Sequence, residues 1–179
     1  RAAEADAFAD WIFFSEIAPS EGFIDHRDRR RVGLVVGREI AAGGQIIVTG
    51  SGEPERLVGS TASADVFALL KVAPVVGRVF TGDEDNAGAN PVVVLSHGLW
   101  QRRFGADTGI IDQPLTLDGR AFTVIGIMPP DFQFPGRGTE LWTPVGLSSK
   151  DPGWENRGNH PGLFGIARLK PDVTIEQER

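Results

Sequence analysis

The 179-residue sequence contains no cysteine, and none of its apolar runs is long. Without cysteine, the chain has no disulfide framework and no thiolate metal site. No run approaches the roughly 18 apolar residues that a membrane-spanning helix needs. No charged segment followed by an apolar core opens the chain, as a signal peptide would. The sequence therefore predicts a soluble piece, of a kind that a membrane protein can carry between its spans.

Motifs for nucleotide binding and covalent catalysis are missing too. The phosphate-binding loop G-x-x-x-x-G-K-[ST] and the nucleophile elbow G-x-S-x-G do not occur. Ser96 and His97 are adjacent, but neighbours at a helix start point in different directions, whereas a base must reach its nucleophile. We therefore predict a non-enzymatic protein without a cofactor, which lacks ATPase, esterase and protease activity.

The charge balance excludes one class of partner. The chain carries 18 basic and 24 acidic residues, for a formal net charge of −6. Because a field of that sign repels nucleic acid, we expect no nucleic-acid partner. A hydrophobic fraction of 41% is enough to build a core, and the length fits one ordinary domain or two small ones.

A strand followed by a capped helix is the sharpest local pattern. Val92–Leu95 is a continuous apolar run, which is typical of a strand buried on both faces. Ser96 follows at the position of an N-cap, where its hydroxyl can accept a hydrogen bond from the first helical turn. A helix is predicted over residues 98–104, ended by Gly105 in the left-handed conformation.

A tight hairpin is predicted next. Asp118-Gly119 lies between two runs of β-forming residues, 115–117 and 120–127. This pair is typical of a type I′ turn, which needs positive φ at both central positions.

The remaining elements rest on weaker patterns. An amphipathic helix is predicted over residues 3–14, because Phe8, Trp11 and Ile12 fall at i, i+3 and i+4. A second helix, over 64–71, is expected to be capped by Ser63. Its predicted buried stripe is Val66, Phe67 and Leu70.

Further strands are predicted at residues 32–40, 45–49, 55–60, 141–142 and 163–169. Residues 148–161 are rich in Gly, Pro and Asn and indicate a connector. Thr174 and Gln177 form a capping box that opens a last helix. One turn of helix is not stable alone, so we expect the natural chain to continue.

Three polar groups are weighed as sites. Residues 83–86 carry oxygen ligands that calcium prefers, but Ala87 and Val94 break EF-hand spacing, so a solvated acidic loop and a weak cation site both remain open. The basic run 26–31 is either a solvated face or a contact to lipid head groups or an acidic partner. His26, His97 and His160 are isolated in sequence, and we predict no metal site.

An apolar loop is the remaining candidate. Residues 128–136 carry Phe132 and Phe134 among three prolines, and Trp154 lies in the connector. The loop is either a lid packed over the hairpin or a contact for a partner or substrate. We take Phe132, Phe134 and Trp154 as the candidate partner-contact residues.

Four segments together resemble a known family. They are ADVFALLKVAPVVGRVF, PVVVLSHGLWQRRFGAD, LTLDGRAFTVIGIMPPDFQFP and NRGNHPGLFGIARLKPDVTIEQ. The chain from about residue 55 to 179 resembles the MacB-like periplasmic core domain of ABC-transporter permeases, especially the duplicated orphan permeases of acidobacteria. Ala73 departs from the family pattern, which has Gly or Arg there.

The resemblance implies an α+β fold with two subdomains. One is a small α/β porter-like module built from both chain ends, residues 1–54 and 155–179. The other is an inserted, mostly β subdomain over 55–154. With the hairpin-rich middle and the long connector, this implies that strand 163–169 returns to pair with strand 32–40, and that both termini lie on one face.

The resemblance also implies a role and a location. The domain would lie on the periplasmic side of the inner membrane, attached to transmembrane helices of the same polypeptide, and would couple their movement to periplasmic partners or substrate during efflux. The ATPase would be a separate subunit or domain. The alternative is a secreted β-rich module that binds a glycan or protein through Trp154 and the Phe132/Phe134 loop.

Overall fold

The computed structural model describes residues 11–14, 31–36, 46–50, 52–148 and 163–168. Within these ranges there are two α-helices and eleven strands of one sheet. The helices are α1, Asp65–Leu70, and α2, His97–Phe104. The strands are β1 Trp11–Phe14, β2 Arg31–Val36, β3 Ile46–Thr49, β4 Glu55–Leu57, β5 Gly59–Ala62, β6 Val76–Gly77, β7 Val92–Leu95, β8 Pro114–Leu117, β9 Arg120–Ile127, β10 Leu141–Pro144 and β11 Leu163–Arg168. The mixed α/β class is as predicted.

The sheet curls back on itself. Its strand order is β1-β11-β2-β5-β10-β7-β9-β8-β3-β4, with β6 paired to β9. The last strand of this path, β4, is separated from β5 by Val58 alone. The strands from β5 to β4 therefore form a series whose first and last members are neighbours in the chain. The pairs β5–β10 and β7–β9 are parallel, and the other pairs are antiparallel.

The two ends of the chain meet in the sheet. Strand β11 pairs antiparallel with β2 over six residue pairs and with β1 over four. The predicted pairing of 163–169 with 32–40 is confirmed. Trp11 and Arg31 both lie opposite Arg168, so β1 begins where β11 ends, at one end of the sheet.

Two hydrophobic clusters cover the two faces of the middle strands. Cluster 1 lies on the side of α1 and cluster 2 on the side of α2. Alternate residues of β7 enter different clusters, which confirms the predicted strand buried on both faces. Cluster 1 contains Ala62, Val66, Phe67, Leu69, Phe80, Val92, Val94, Ile125, Met128, Phe134 and Trp142, and cluster 2 contains Val48, Leu57, Val93, Leu95, Leu99, Trp100, Leu115, Leu117, Val124, Ile127 and Leu141.

The capped helix and the hairpin are confirmed in detail. The Ser96 hydroxyl accepts a hydrogen bond of 3.1 Å from the Leu99 N–H, and Gly105 ends α2 at φ 60°. Asp118 and Gly119 have φ 47° and 78°, and Leu117 lies opposite Arg120. Both local predictions rest on backbone requirements that few residue types can meet.

Four local predictions are wrong. Trp11–Phe14 forms strand β1 instead of the end of a helix, because pairing with β11 outweighs the helical spacing. The predicted strand 55–60 is split at Val58, whose carbonyl accepts a hydrogen bond from the Glu140 N–H.

The start of α1 also differs from the prediction. Ala64, not Ser63, is its N-cap residue, and no side chain of the cap residue bonds the first turn. Leu69 replaces Leu70 in the buried stripe. The predicted connector beyond residue 148 and the helix at Thr174 lie outside the described residues.

The hairpin turn generates a stability prediction. Gly119→Ala should lower the free energy of unfolding by about 1 kcal/mol, since φ 78° is strained for any residue with a Cβ. Gly82→Ala is the matched control, because Gly82 has no positive φ and its Cβ would meet nothing within 4 Å. Urea denaturation of both variants measures the difference, and equal losses would contradict the turn assignment.

Candidate functional site

One short contact joins the strands from the chain ends to the rest of the sheet. Among the described strands, β2 meets β5 through the pairs Val35–Ala62 and Val36–Thr61. We call these two pairs the joint. On its other side β5 pairs with β10 over four residues, from Gly59 to Ala62. Strand β5 is therefore shared between the chain-end strands and the middle of the sheet.

Helix α1 lies over the joint. It begins three residues after β5 and buries Val66, Phe67 and Leu69 in cluster 1. Its backbone also lies close to β2 and β11. Cluster 1 is therefore connected to the chain-end strands through α1 as well as through β5.

The partly buried carboxylate of Asp85 holds the start of α1 close to the end of β10. Asp85 Oδ2 accepts a hydrogen bond of 3.1 Å from the Ala64 N–H, at the start of α1. Its Oδ1 accepts one of 2.7 Å from the Gly146 N–H, just after β10. A Cβ at Gly146 would collide with the Asp85 carbonyl, so this approach requires glycine. One side chain thus ties together the ends of the parallel strands β5 and β10.

The surroundings of Asp85 disfavour the ionised form of its carboxyl. Burial raises the pKa of its carboxyl above the ordinary 3.8, and the negative charge of Asp65 acts in the same direction. The backbone N–H groups of Gly146, Ala64 and Val145 favour the ionised form but do not outweigh the loss of water. This position was missed from the sequence, because both partners are backbone groups far away along the chain.

The rest of the acidic loop is occupied by its own contacts. Glu84 holds Arg78 through two hydrogen bonds of 2.7 Å, and this guanidinium lowers the pKa of Glu84. Asn86 donates to the Gly82 carbonyl. Within the part of the chain with described side chains, no three His, Cys, Asp or Glu residues are arranged to hold a metal ion. The geometry favours a structured acidic loop over a cation site.

A second charge network holds helix α2. Arg102 bonds Glu140 at 2.8 Å and Glu55 at 2.7 Å, and Arg103 bonds Glu55 at 3.1 Å. The hydrogen bond from Arg102 is the main cause that lowers the pKa of Glu55. Because three of these four groups are partly open to solvent, each pair contributes no more than about 1 kcal/mol. The network ties helix α2 to strand β4 and to Glu140, the residue before β10.

The predicted aromatic contact loop is largely turned inward. Phe134 is 8% exposed, and its carbonyl accepts a hydrogen bond of 2.8 Å from the Trp142 indole. The Phe132 ring lies 5.1 Å from Trp142 and 6.1 Å from Phe67, centre to centre. The loop therefore packs on cluster 1, which includes Ile125 of the hairpin strand β9, whereas Leu115 and Leu117 of the hairpin belong to cluster 2. Pro130, Asp131 and Gln133 are exposed, as are residues 135–138.

The remaining predicted residues either make structural contacts or lie outside the described ranges. The Ser96 hydroxyl serves as the helix cap, and the His97 ring lies 5.3 Å from the Trp100 ring in an edge-on arrangement. Trp154, His26, His160 and basic residues 26–30 lie outside the described ranges. Within those ranges, no helix has the length and hydropathy needed to cross a membrane.

The comparisons with known proteins agree with one another. Residues 7–178 match the family described as the MacB-like periplasmic core domain. The fold is similar to that of the periplasmic region of MacB from Actinobacillus actinomycetemcomitans, at 15% identity and a TM-score of 0.60, with 85% of this chain and 64% of that one covered. It is also similar to the extracellular domain of the noncanonic ABC-type transporter YknZ from Gram-positive bacteria, at 14% identity and a TM-score of 0.54, with 78% and 66% covered. The chain thus spans about two thirds of each of these structures. No curated protein sequence matches it.

The Asp85 contacts predict a loss of stability on substitution. Asp85→Asn should lower the free energy of unfolding by about 1–3 kcal/mol, because an amide offers one acceptor where the carboxylate offers two. Asp83→Asn, in the same loop and exposed, is the matched control and should change stability by less than about 0.5 kcal/mol. Denaturant unfolding at pH 7 compares them, and a neutral Asp85→Asn would refute the bridging role.

The pKa of Asp85 predicts a pH dependence with a definite sign. Because burial raises this pKa in the folded state, folding takes up a proton between the ordinary 3.8 and the raised value. Protonated Asp85 therefore adds stabilisation at low pH, and this added part is lost as the pH rises through the raised pKa, while the hydrogen bonds from Ala64 and Gly146 remain. The stability of the wild type minus that of Asp85→Asn should shrink as the pH rises from 4 to 7. A difference that grows over this range would contradict the desolvation argument.

Proposed function

Because the chain belongs to the family of MacB-like periplasmic core domains, which are extracytoplasmic domains of ABC-type transporter permeases, we propose that it couples movement of membrane helices to partners or substrate outside the membrane. The coupling is mechanical and the domain itself is non-catalytic. It is held at the inner membrane by transmembrane helices of the same polypeptide. The ATPase that drives the movement is a separate subunit or domain.

The pairing of the chain ends carries this proposal. Strand β1 begins and β11 ends side by side, with Trp11 opposite Arg168. A domain attached to a membrane by both ends needs its entering and leaving segments on one side. This arrangement supplies that condition, and it also allows the two attachment points to act on a single group of strands.

We further propose that the chain divides into two modules that move about the joint. The chain-end module contains β1, β2 and β11, and the inserted module contains the strands from β3 to β10. Strand β3 pairs with β4 and β8, so we place the first boundary between residues 36 and 46 instead of after residue 54. Two residue pairs make a narrow connection, which favours rigid-body movement over deformation of either module.

Movement would pass along two physical routes. A shift of β2 acts directly on β5 through Val36–Thr61, and indirectly through α1, which lies against β2 and packs on cluster 1. Asp85 links the start of α1 to the end of β10. The inserted module would therefore respond as one unit, up to the exposed residues 135–138 of the aromatic loop.

A periplasmic protein partner would contact the inserted module. Because Phe132 and Phe134 pack on cluster 1, the exposed residues 135–138 are the better candidates in that loop, and Trp154 stays a candidate from the connector. Family membership favours this role over the secreted binding module that the sequence also allowed. The acidobacterial subtype stays a prediction.

A reversible cross-link at the joint tests the coupling. The chain has no cysteine, so Val36→Cys/Thr61→Cys introduces a single pair into this domain, at positions opposite each other in the sheet. In the complete permease with its ATPase, oxidation should lower transport and transport-stimulated ATP hydrolysis at least about fivefold, and reduction should restore both.

Thr116→Cys/Ala121→Cys is the matched control. These positions are also opposite each other in an antiparallel pair, but both lie within the β8–β9 hairpin. Oxidation there should leave activity within about twofold. Full activity with the joint cross-linked would show that no movement at the joint is needed, and the mechanical proposal would fall.

A further inference from the structure

A small pocket opens where the hairpin meets the joint. Its volume is about 220 Å³, the space of about seven water molecules. Ile46, Leu117 and Phe122 form its apolar wall and belong to, or pack against, cluster 2. Residues of β5 and β10 form the opposite wall. The pocket is thus the unfilled end of the interior of the curled sheet.

Thr143 introduces a hydroxyl where this interior would otherwise be apolar. It lies two residues after Leu141 on β10 and so points to the same face of the sheet, toward cluster 2. It is 6% exposed and lines the pocket. Its hydroxyl makes no hydrogen bond to any residue whose side chain is described. The oxygen itself is not fully enclosed, since among the described residues Arg103 Nε is the buried side-chain atom without a partner, and the open space beside the hydroxyl is the pocket.

Arg120 places an unpaired cation at the mouth. Its guanidinium lies over the Phe122 ring, 5.6 Å from the centroid, and it forms no ion pair within the described ranges. The neighbouring carboxylate of Asp118 is engaged by the Ile47 N–H at 2.8 Å. The Asp118 charge still lies at the rim, so it disfavours a ligand with more than one negative charge.

We propose that this pocket binds a small monocarboxylate with a short apolar body. The carboxylate accepts hydrogen bonds from the Arg120 guanidinium and the Thr143 hydroxyl, the two donors that line the pocket without partners in the described chain. The apolar body lies against Ile46, Leu117 and Phe122. A volume of about 220 Å³ suits a short apolar body. This inference does not depend on the transport role of the domain.

An NMR titration of the ¹⁵N-labelled 179-residue chain tests the proposal with three probes of equal length. Sodium hexanoate should cause saturable shifts around Thr143 and Arg120, with a Kd of about 1–10 mM, as expected for so few atoms. Hexanamide should bind at least about tenfold more weakly, because it lacks the charge. Hexylammonium should cause no saturable shift. Equal binding of all three probes, or no saturable response to hexanoate, would overturn the proposal without any variant.

Two variants then assign the contacts. Arg120→Gln should weaken hexanoate binding at least about tenfold, and Thr143→Val, which keeps the side-chain shape, about three- to tenfold. Arg137→Gln is the control, since Arg137 is exposed and lies away from the pocket; it should leave the Kd unchanged. Thr143→Val without ligand should unfold at the same or a higher urea concentration, which separates a binding role from a structural one. Unchanged hexanoate affinity in both pocket variants would refute the assignment.

Discussion

The pairing of β11 with β2 is the interaction on which the remaining architecture depends. Six backbone pairs join segments from opposite ends of the chain, and closing so long a loop costs conformational entropy before any contact offsets it. The middle of the chain can meet this requirement, because its hairpin and its strand–helix–strand segment have largely local contacts. Once the strands from β3 to β10 have paired, β5 offers an edge for β2, and β11 pairs with β2 and β1.

Local backbone chemistry explains which elements could be predicted. The Asp118-Gly119 turn and the Ser96 cap are fixed by residues that satisfy a requirement within a few positions, and the structure has both as expected. Trp11–Phe14 has no such local marker, so its helical spacing was misleading. Its strand state comes from a partner at the other end of the chain. Single-sequence patterns fail where the deciding partner is remote.

The functional regions were harder to predict than the fold for the same reason. Phe132 and Phe134 are apolar residues in a loop, and nothing local distinguishes a contact surface from a core lid. The indole of Trp142 and cluster 1 decide between these alternatives. Asp85 appeared as one acidic residue among several, yet its carboxylate bridges the ends of two strands. Thr143 became notable only when the curl of the sheet placed it beside Arg120 and an apolar wall. The family resemblance supplied the role, which the residue patterns alone did not.

The distribution of tryptophan gives the two cores separate optical signals. Trp142 is fully buried in cluster 1, and Trp100 is 8% exposed in cluster 2. The sequence has no tyrosine and four tryptophans, the others being Trp11 and Trp154. With those two replaced by phenylalanine, near-ultraviolet absorption and emission would be dominated by one indole in each core. Replacing Trp100 or Trp142 as well would leave a single indole, whose fluorescence would follow one side of the sheet without an added dye.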